Sequence, residues 1–249
     1  MSDPHTIVVL GAASAIAQAY ARRRAAAGNK FVLLGRREDR LAAVAADLIA
    51  RGAASAEPVV MDLSAIDEIE RTVEMIHGRF GPPREIVVAY GTLGEQAALE
   101  RDFAAARRAL DVNFTSAALW LLAFLKRRDA TSPLTGIVIG SVAGDRGRRT
   151  NFIYGAAKGG LDIFVQGLAH AYAGTPVRLI MVKPGFVDTP MTAGFIKTGP
   201  LWSTPERVAA DMERAVRRGA RVVYSPWFWW PIMAVIRRLP WFVFRRLKI

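Results

Sequence analysis

TIVVLGAASAIAQAYARRRAAAG, residues 6–28, decides the fold. TIVVL is a short run rich in β-branched residues that stays apolar throughout, the pattern of a strand buried on both faces. Gly11 follows as a turn, and an alanine-rich segment with helical character runs on to Gly28, a plausible helix stop. A strand, a glycine turn and a helix N-terminus together make a phosphate-binding βα unit. Such loops commonly carry three glycines. Here only Gly11 remains, and Ala15 and Ala17 hold the other two places. The first glycine permits the sharp turn, so its role is kept, while each alanine adds one methyl that negative φ accommodates. Ser14 adds a hydroxyl donor. An ordinary tight turn would read the same way in isolation.

Outward from this unit, similar runs recur: 30–34, 58–61, 85–90, 136–140, 177–182 and 221–225. The intervening segments are long enough for crossover helices. Seven strands alternating with helices predict an α/β, doubly wound Rossmann fold with a seven-stranded parallel sheet. One domain is expected over residues 1–225, with a C-terminal amphipathic extension over 226–249.

The chain has 249 residues, of which 52% are hydrophobic, so a large core is expected. It has no cysteine, which excludes disulfides and thiolate metal sites. His5, His77 and His170 lie outside any ligand spacing, so no metal is expected. The apolar start is too short for a secretory signal, and no run reaches about 18 uninterrupted apolar residues. A cytoplasmic location is the default.

The net charge of +12 points to an anionic partner. No nucleic-acid-binding motif is present. Residues 221–249 carry Arg221, Arg237, Arg238, Arg245, Arg246 and Lys248 beside Trp227, Trp229, Trp230, Trp241 and three phenylalanines, with no acidic side chain. Arginines among tryptophans suit an anionic membrane surface better than a DNA groove. A subunit contact or a helix packed over the site is the alternative.

The second strand ends in LLGRRED. A carboxylate about 20 residues past the glycine turn favours NAD, and arginine favours a 2′-phosphate. Gly35 takes the carboxylate's place and Arg36 and Arg37 follow, which points to NADPH, with NADH possible. Two solvated arginines at a helix start would look the same.

The chemistry is carried by GSVAGDRGRRTNFIYGAAKGGLDIF, 140–164. Ser141 follows a strand, at the end where ligands bind in such sheets. Tyr154 and Lys158 stand at i and i+4, on one helix face. An ammonium beside a phenol favours phenolate, so Lys158 is expected to lower the pKa of Tyr154 and make it a general acid/base.

These residues resemble the short-chain dehydrogenase/reductase family, and the resemblance covers nearly the whole chain. It implies a catalytic set of Ser141, Tyr154, Lys158 and Asn113, the last in ALDVNFTSA, where the family's asparagine holds a water in a proton relay. It implies cofactor contacts at Gly11, Ser14, Ala15, Ile16, Arg36, Arg37, Asp62, Leu63, Gly91, Tyr154, Lys158, Pro184, Val187 and Thr189. The family's Asn-Asn-Ala-Gly after the fourth strand is replaced here by Ala89, Tyr90 and Gly91. A homo-oligomer is a further implication.

VVAYGTLGEQ, AGDRGRRTNFIYGAAKGGLD and LPWFVFRRLKI are similar to the decaprenylphosphoryl-2-keto-ribose reductases. That likeness implies reduction of the 2-keto sugar of a polyprenyl-phosphate pentose in arabinosyl donor biosynthesis, with a flavin oxidase as partner. Arg146, Arg148 and Arg149, between Ser141 and Tyr154, are candidates for the substrate phosphate; a solvated loop is the alternative. Peripheral membrane association would follow. Two other readings stay open: reduction of another lipophilic ketone, steroid or acyl, and a dinucleotide-binding membrane-surface protein without chemistry.

Overall fold

A computed structural model describes residues 4–247. Strands β1 (Thr6–Leu10), β2 (Lys30–Gly35), β3 (Ser55–Val60), β4 (Glu85–Val88) and β5 (Leu134–Ile139) precede β6 (Val177–Pro184). A two-residue pair, β7 (Phe186–Val187) with β8 (Trp202–Ser203), follows, and β9 (Val222–Ser225) closes the main sheet. The main sheet has seven parallel strands in the order β3-β2-β1-β4-β5-β6-β9, the expected doubly wound architecture. The small β7–β8 pair was not legible in the sequence, because neither segment is long enough to show a period.

Alternation along each strand sorts the core into two layers. Ile7, Val9, Phe31 and Leu33 face one side. There they meet α1 (Ala15–Ala25), α2 (Glu38–Ala50) and α8 (Pro205–Arg218). Val8, Leu10, Val32 and Leu34 face the other. There they meet α3 (Ile69–Phe80), α6 (Ser116–Arg127) and α7 (Phe152–Ala171). Short α4 (Gln96–Arg101) and α5 (Phe103–Leu110) precede a π-turn at Asp111–Thr115 that leads into α6.

The continuous helical stretch Phe103–Arg127 is long and apolar enough to cross a membrane by length and composition. Over half of it is buried in the protein, and Trp120, Leu121 and Phe124 belong to the central core, so it reads as a core helix.

After β9 the chain forms α9 (Trp229–Arg238) and α10 (Trp241–Phe244). One stripe of α9, Trp229 and Met233, is buried against Val142. Trp229 therefore corrects the expectation that it sits among lipid headgroups: it is 3% exposed and its indole lies where any side chain on Gly185 would have to go. Lys248 lies outside the described residues.

Candidate active site

Strand order reverses between β1 and β4, and a crevice opens at their carboxyl ends. It is a cleft of about 640 Å³ that runs from the α1 N-terminus to the loop after β6. Gly11, Ser14, Ala15, Ile16, Arg36, Arg37, Asp62, Leu63, Gly91, Ser141, Tyr154, Lys158, Pro184, Val187 and Thr189 all line it. Asn113, Arg146 and Arg149 do not.

At the phosphate end, Gly11 turns with φ +86°, and Ser14 occupies the N-cap of α1 without a side-chain capping bond. The first N–H groups of α1 and the Ser14 hydroxyl are thus open to an anion. Arg37 is already engaged with Asp39, its Nη2 2.6 Å and its Nε 3.1 Å from the two carboxylate oxygens. Arg36 makes no hydrogen bond to protein among the described residues, and the Asp62 carboxylate is its electrostatic neighbour. Asp62 accepts from the Ser64 amide (2.9 Å) and hydroxyl (2.7 Å), which hold its pKa below the usual carboxylate range. Leu63 is fixed by Trp120, whose Nε1 donates to the Leu63 carbonyl at 3.0 Å. The stretch LLGRRED ends one residue short: Arg40, four positions after Arg36, also lines this end.

At the chemical end, glycines set the distances. A Cβ on Gly155 would lie 2.8 Å from the Ala143 carbonyl oxygen, and one on Gly144 would lie 2.7 Å from backbone of Lys158 and Gly159. The loop after Ser141 therefore rests directly on the first turns of α7, and only glycine permits that approach. Beneath it, Lys183 Nζ lies 2.7 Å from both Asp145 and Asp162, and Tyr224 donates to Asp145 at 2.7 Å. This buried network ties the loop to β6 and β9, so Ser141, Tyr154 and Lys158 are held on rigid supports. The spacing YGAAKGG was the available signal for the glycine contacts; nothing in the sequence joins Asp145 to Lys183.

The expectation that Lys158 lowers the Tyr154 pKa needs correction. Burial raises Tyr154 above its ordinary value, more than a hydrogen bond to Ser141 and the charge of Arg148 bring it down. Lys158 donates instead to the Ile139 carbonyl at 3.0 Å, and its Nζ lies 5.9 Å from the Tyr154 ring centroid. Lys158 is itself 4% exposed, and desolvation lowers its pKa to about 8.

That shift has a consequence for stability. Between pH 8 and 10.5 the unfolded lysine keeps a proton that the folded one has lost, so stability rises with pH across that window. Below pH 8 both states are protonated and the cost of burying the ammonium is fully present. Lys158→Met is expected to stabilise the cofactor-free protein by about 1–3 kcal/mol at neutral pH and to flatten that slope. Denaturant melts across the window check it, and an unchanged slope would reject Lys158 as the titrating group.

The Asn113 side chain is engaged by the protein backbone. Its Oδ1 accepts from the Thr92 amide (3.1 Å), and its Nδ2 donates to the Thr92 and Ala109 carbonyls (2.8 Å each). The side chain clamps the loop after β4 and does not line the cleft. Gly91 fits between: a Cβ there would lie 2.6 Å from Asn113 Oδ1 and 3.5 Å from Lys158 Nζ.

Of the three candidate phosphate arginines, one lines the cleft. Arg146 turns away: its Nη1 donates to the Ile236 and Leu239 carbonyls at the end of α9, and its guanidinium lies 3.7 Å from the Phe244 ring centroid. It corrects the substrate assignment, because the unsatisfied carbonyls of a helix C-terminus already hold it. Arg149 is exposed outside the cleft. Arg148 lines the cleft near Tyr154, and burial lowers its pKa. Its Nε and the Oδ1 of Asn151, a cleft residue the sequence reading passed over, are buried without a hydrogen-bond partner. Tyr90 was also missed as a structural element; its hydroxyl pairs with Ser116 Oγ at 2.9 Å.

Residues 5–198 match the family model of the short chain dehydrogenases. An uncharacterized oxidoreductase of Mycobacterium tuberculosis is 41% identical over 242 residues, covering 97% of this chain and 96% of the relative. An uncharacterized oxidoreductase of Streptomyces coelicolor is 36% identical over 253 residues, covering 99% and 97%. A short-chain dehydrogenase from Sphingobium yanoikuyae, solved in complex with NADPH, superposes with a TM-score of 0.82 over 98% of this chain and 96% of that one, at 22% identity. The chain therefore belongs to the short-chain dehydrogenase family of oxidoreductases.

Proposed function

We propose that the chain is an NAD(P)H-dependent reductase of a keto group, with NADPH the favoured cofactor. The convergence of Ser141, Tyr154 and Lys158 on one end of the cleft carries this reading. The other end fits a dinucleotide: a glycine turn with no room for a side chain, an open helix N-terminus, and Arg36, which lines the cleft with no hydrogen bond to protein among the described residues. Bound there, a nicotinamide supplies the hydride. Tyr154 gives its phenolic proton to the carbonyl oxygen as that carbon is reduced. Ser141 hydrogen-bonds the same oxygen and orients it. Lys158, buried behind Gly91, places a positive charge beside the reacting groups.

Arg36 is the residue on which cofactor choice turns. Arg36→Ala is expected to weaken NADPH by about 1.5–3 kcal/mol, as for a hydrogen bond to a charged group, and to leave NADH nearly unchanged. Titration of both cofactors checks this. Equal loss for both would make the arginine structural.

The finer reading is that the substrate is the 2-keto sugar of a polyprenyl-phosphate pentose. Its support is the likeness of the three quoted motifs and the character of the cleft. Arg148 offers a partly desolvated cation to an anionic group, and Asn151 offers an acceptor to a sugar hydroxyl. Phe186, Met191 and Phe195 supply apolar wall for a chain. A turnover assay with a 2-keto pentosyl polyprenyl-phosphate, a steroid ketone and an acyl ketone, each with NADPH and NADH, tests it. Turnover of the phosphosugar lost on Arg148→Ala supports the reading. Turnover of a neutral ketone alone would replace it with a general lipophilic ketone reductase.

A further inference from the structure

After Glu213 the sequence holds no Asp or Glu and nine arginines and lysines, the last of them Lys248, outside the described residues. Within this stretch α9 is two-faced. Its inner stripe, Trp229 and Met233, is buried, while Trp230 and Val235 are 60% and 61% exposed. Trp227 before it and Trp241 and Phe242 after it are 60–69% exposed. Arg237, Arg238, Arg245 and Arg246 stand exposed among these rings. Large exposed aromatics gathered on one segment are unusual on a protein surface and mark an interaction site.

We propose that α9 and α10 form a docking surface for an anionic lipid bilayer. Tryptophan and arginine side by side match the two layers of a membrane interface, with rings at the headgroup level and guanidinium groups on lipid phosphate. A second copy of the chain fits less well, since a symmetric contact through this segment would set arginines against arginines with no carboxylate between them. The surface is not a loose tail. Arg146 binds the last carbonyls of α9 and covers Phe244 of α10. Trp229 packs against Gly185 and Phe186 of the cleft wall. The helix that would meet lipid is thus fastened to both sides of the site, and delivery of a lipid-borne ketone from the bilayer, which rests on the proposed function, follows from that placement.

Deleting the segment would uncover Val142 and the cleft wall, so the test uses point variants of the full chain. Sedimentation with phosphatidylcholine vesicles, and with vesicles containing phosphatidylglycerol, needs no substrate. The wild type is expected to bind the anionic vesicles and to be partly released by high salt. Arg237→Ala with Arg238→Ala is expected to reduce partition about 30-fold, from about 1 kcal/mol for each cation near the surface. Trp230→Ala with Trp241→Ala is expected to reduce what remains at high salt. Wild-type binding to anionic vesicles unchanged in both double variants, or no vesicle binding at all, would overturn the proposal. So would a Trp230→Ala, Trp241→Ala protein that changes from oligomer to monomer without losing lipid. Because vesicle binding is read without turnover, failure of the keto-reductase reading leaves this result standing, and the reverse.

Discussion

Tyr154→Phe is expected to lower kcat for ketone reduction by about 10²–10⁴-fold, the loss typical of a positioned general acid, with NADPH affinity nearly unchanged. The ring is retained, so its packing against the cleft and its place on α7 are retained. Only the proton donor is removed. Burial holds the Tyr154 pKa above its ordinary value, so the phenol keeps its proton through the neutral range and is present there as the donor. Ser141 remains to orient the oxygen, but hydride transfer then leaves an alkoxide with no acid in contact to protonate it. The pH profile separates the groups. Tyr154 should not limit reduction at mildly alkaline pH, whereas a falling limb near pH 8 would be the loss of the Lys158 charge. Steady-state turnover with NADPH titration in parallel reads both. A Tyr154→Phe enzyme with wild-type kcat would remove Tyr154 from the reaction.

What could be read from the sequence follows from the range of the forces involved. The seven strands of the main sheet were legible: the inner ones because a strand buried on both faces must be apolar throughout, and the partly exposed edge strands β3 and β9 because their short β-branched runs are bounded by breakers. The Tyr154 and Lys158 pair was legible because an i, i+4 spacing is a local geometric fact. The fate of the three arginines between Ser141 and Tyr154 was not. Arg146 meets carbonyls 90 and 93 residues away, and no local pattern announces such a partner. The direction of the Tyr154 shift was misjudged for a related reason. Spacing shows that a lysine is near, but burial, which sets the direction of the shift, is a property of the assembled cleft. Trp229 and Trp230 make the same point: adjacent tryptophans, one 3% and one 60% exposed, separated only by which stripe of α9 faces the core.

Gly11→Val is expected to abolish detectable cofactor binding and to destabilise the fold by several kcal/mol. Gly11 has φ +86°, which costs a residue with a side chain about 1–2 kcal/mol before any clash. Its Cβ would lie 2.7 Å from Tyr90 Cβ, 2.9 Å from the Tyr90 amide nitrogen and 3.0 Å from its Cα. Neither side can yield easily. The Gly11 and Ala12 amides both donate to the Leu34 carbonyl at 3.0 Å, and Tyr90 is tethered through Ser116 at 2.9 Å. Overpacking of this kind adds roughly 1–3 kcal/mol and turns the first N–H groups of α1 away from an anion. The two alanines where glycines were expected are different. No non-glycine residue among those described has positive φ, so Ala15 and Ala17 sit in ordinary helix, with Ala17 1% exposed in the core. Ala15→Gly is therefore expected to keep cofactor affinity and to lose at most about 1 kcal/mol of stability through helix propensity. Should the valine variant fail to fold, Gly11→Ala tests the same turn with a smaller insult, and should bind NADPH more weakly than Ala15→Gly does. Fluorescence titration with NADPH beside denaturant melts gives both quantities. Normal binding by a folded Gly11→Val or Gly11→Ala protein would mean that the pyrophosphate does not rest on this loop, and that one glycine is not what the turn requires.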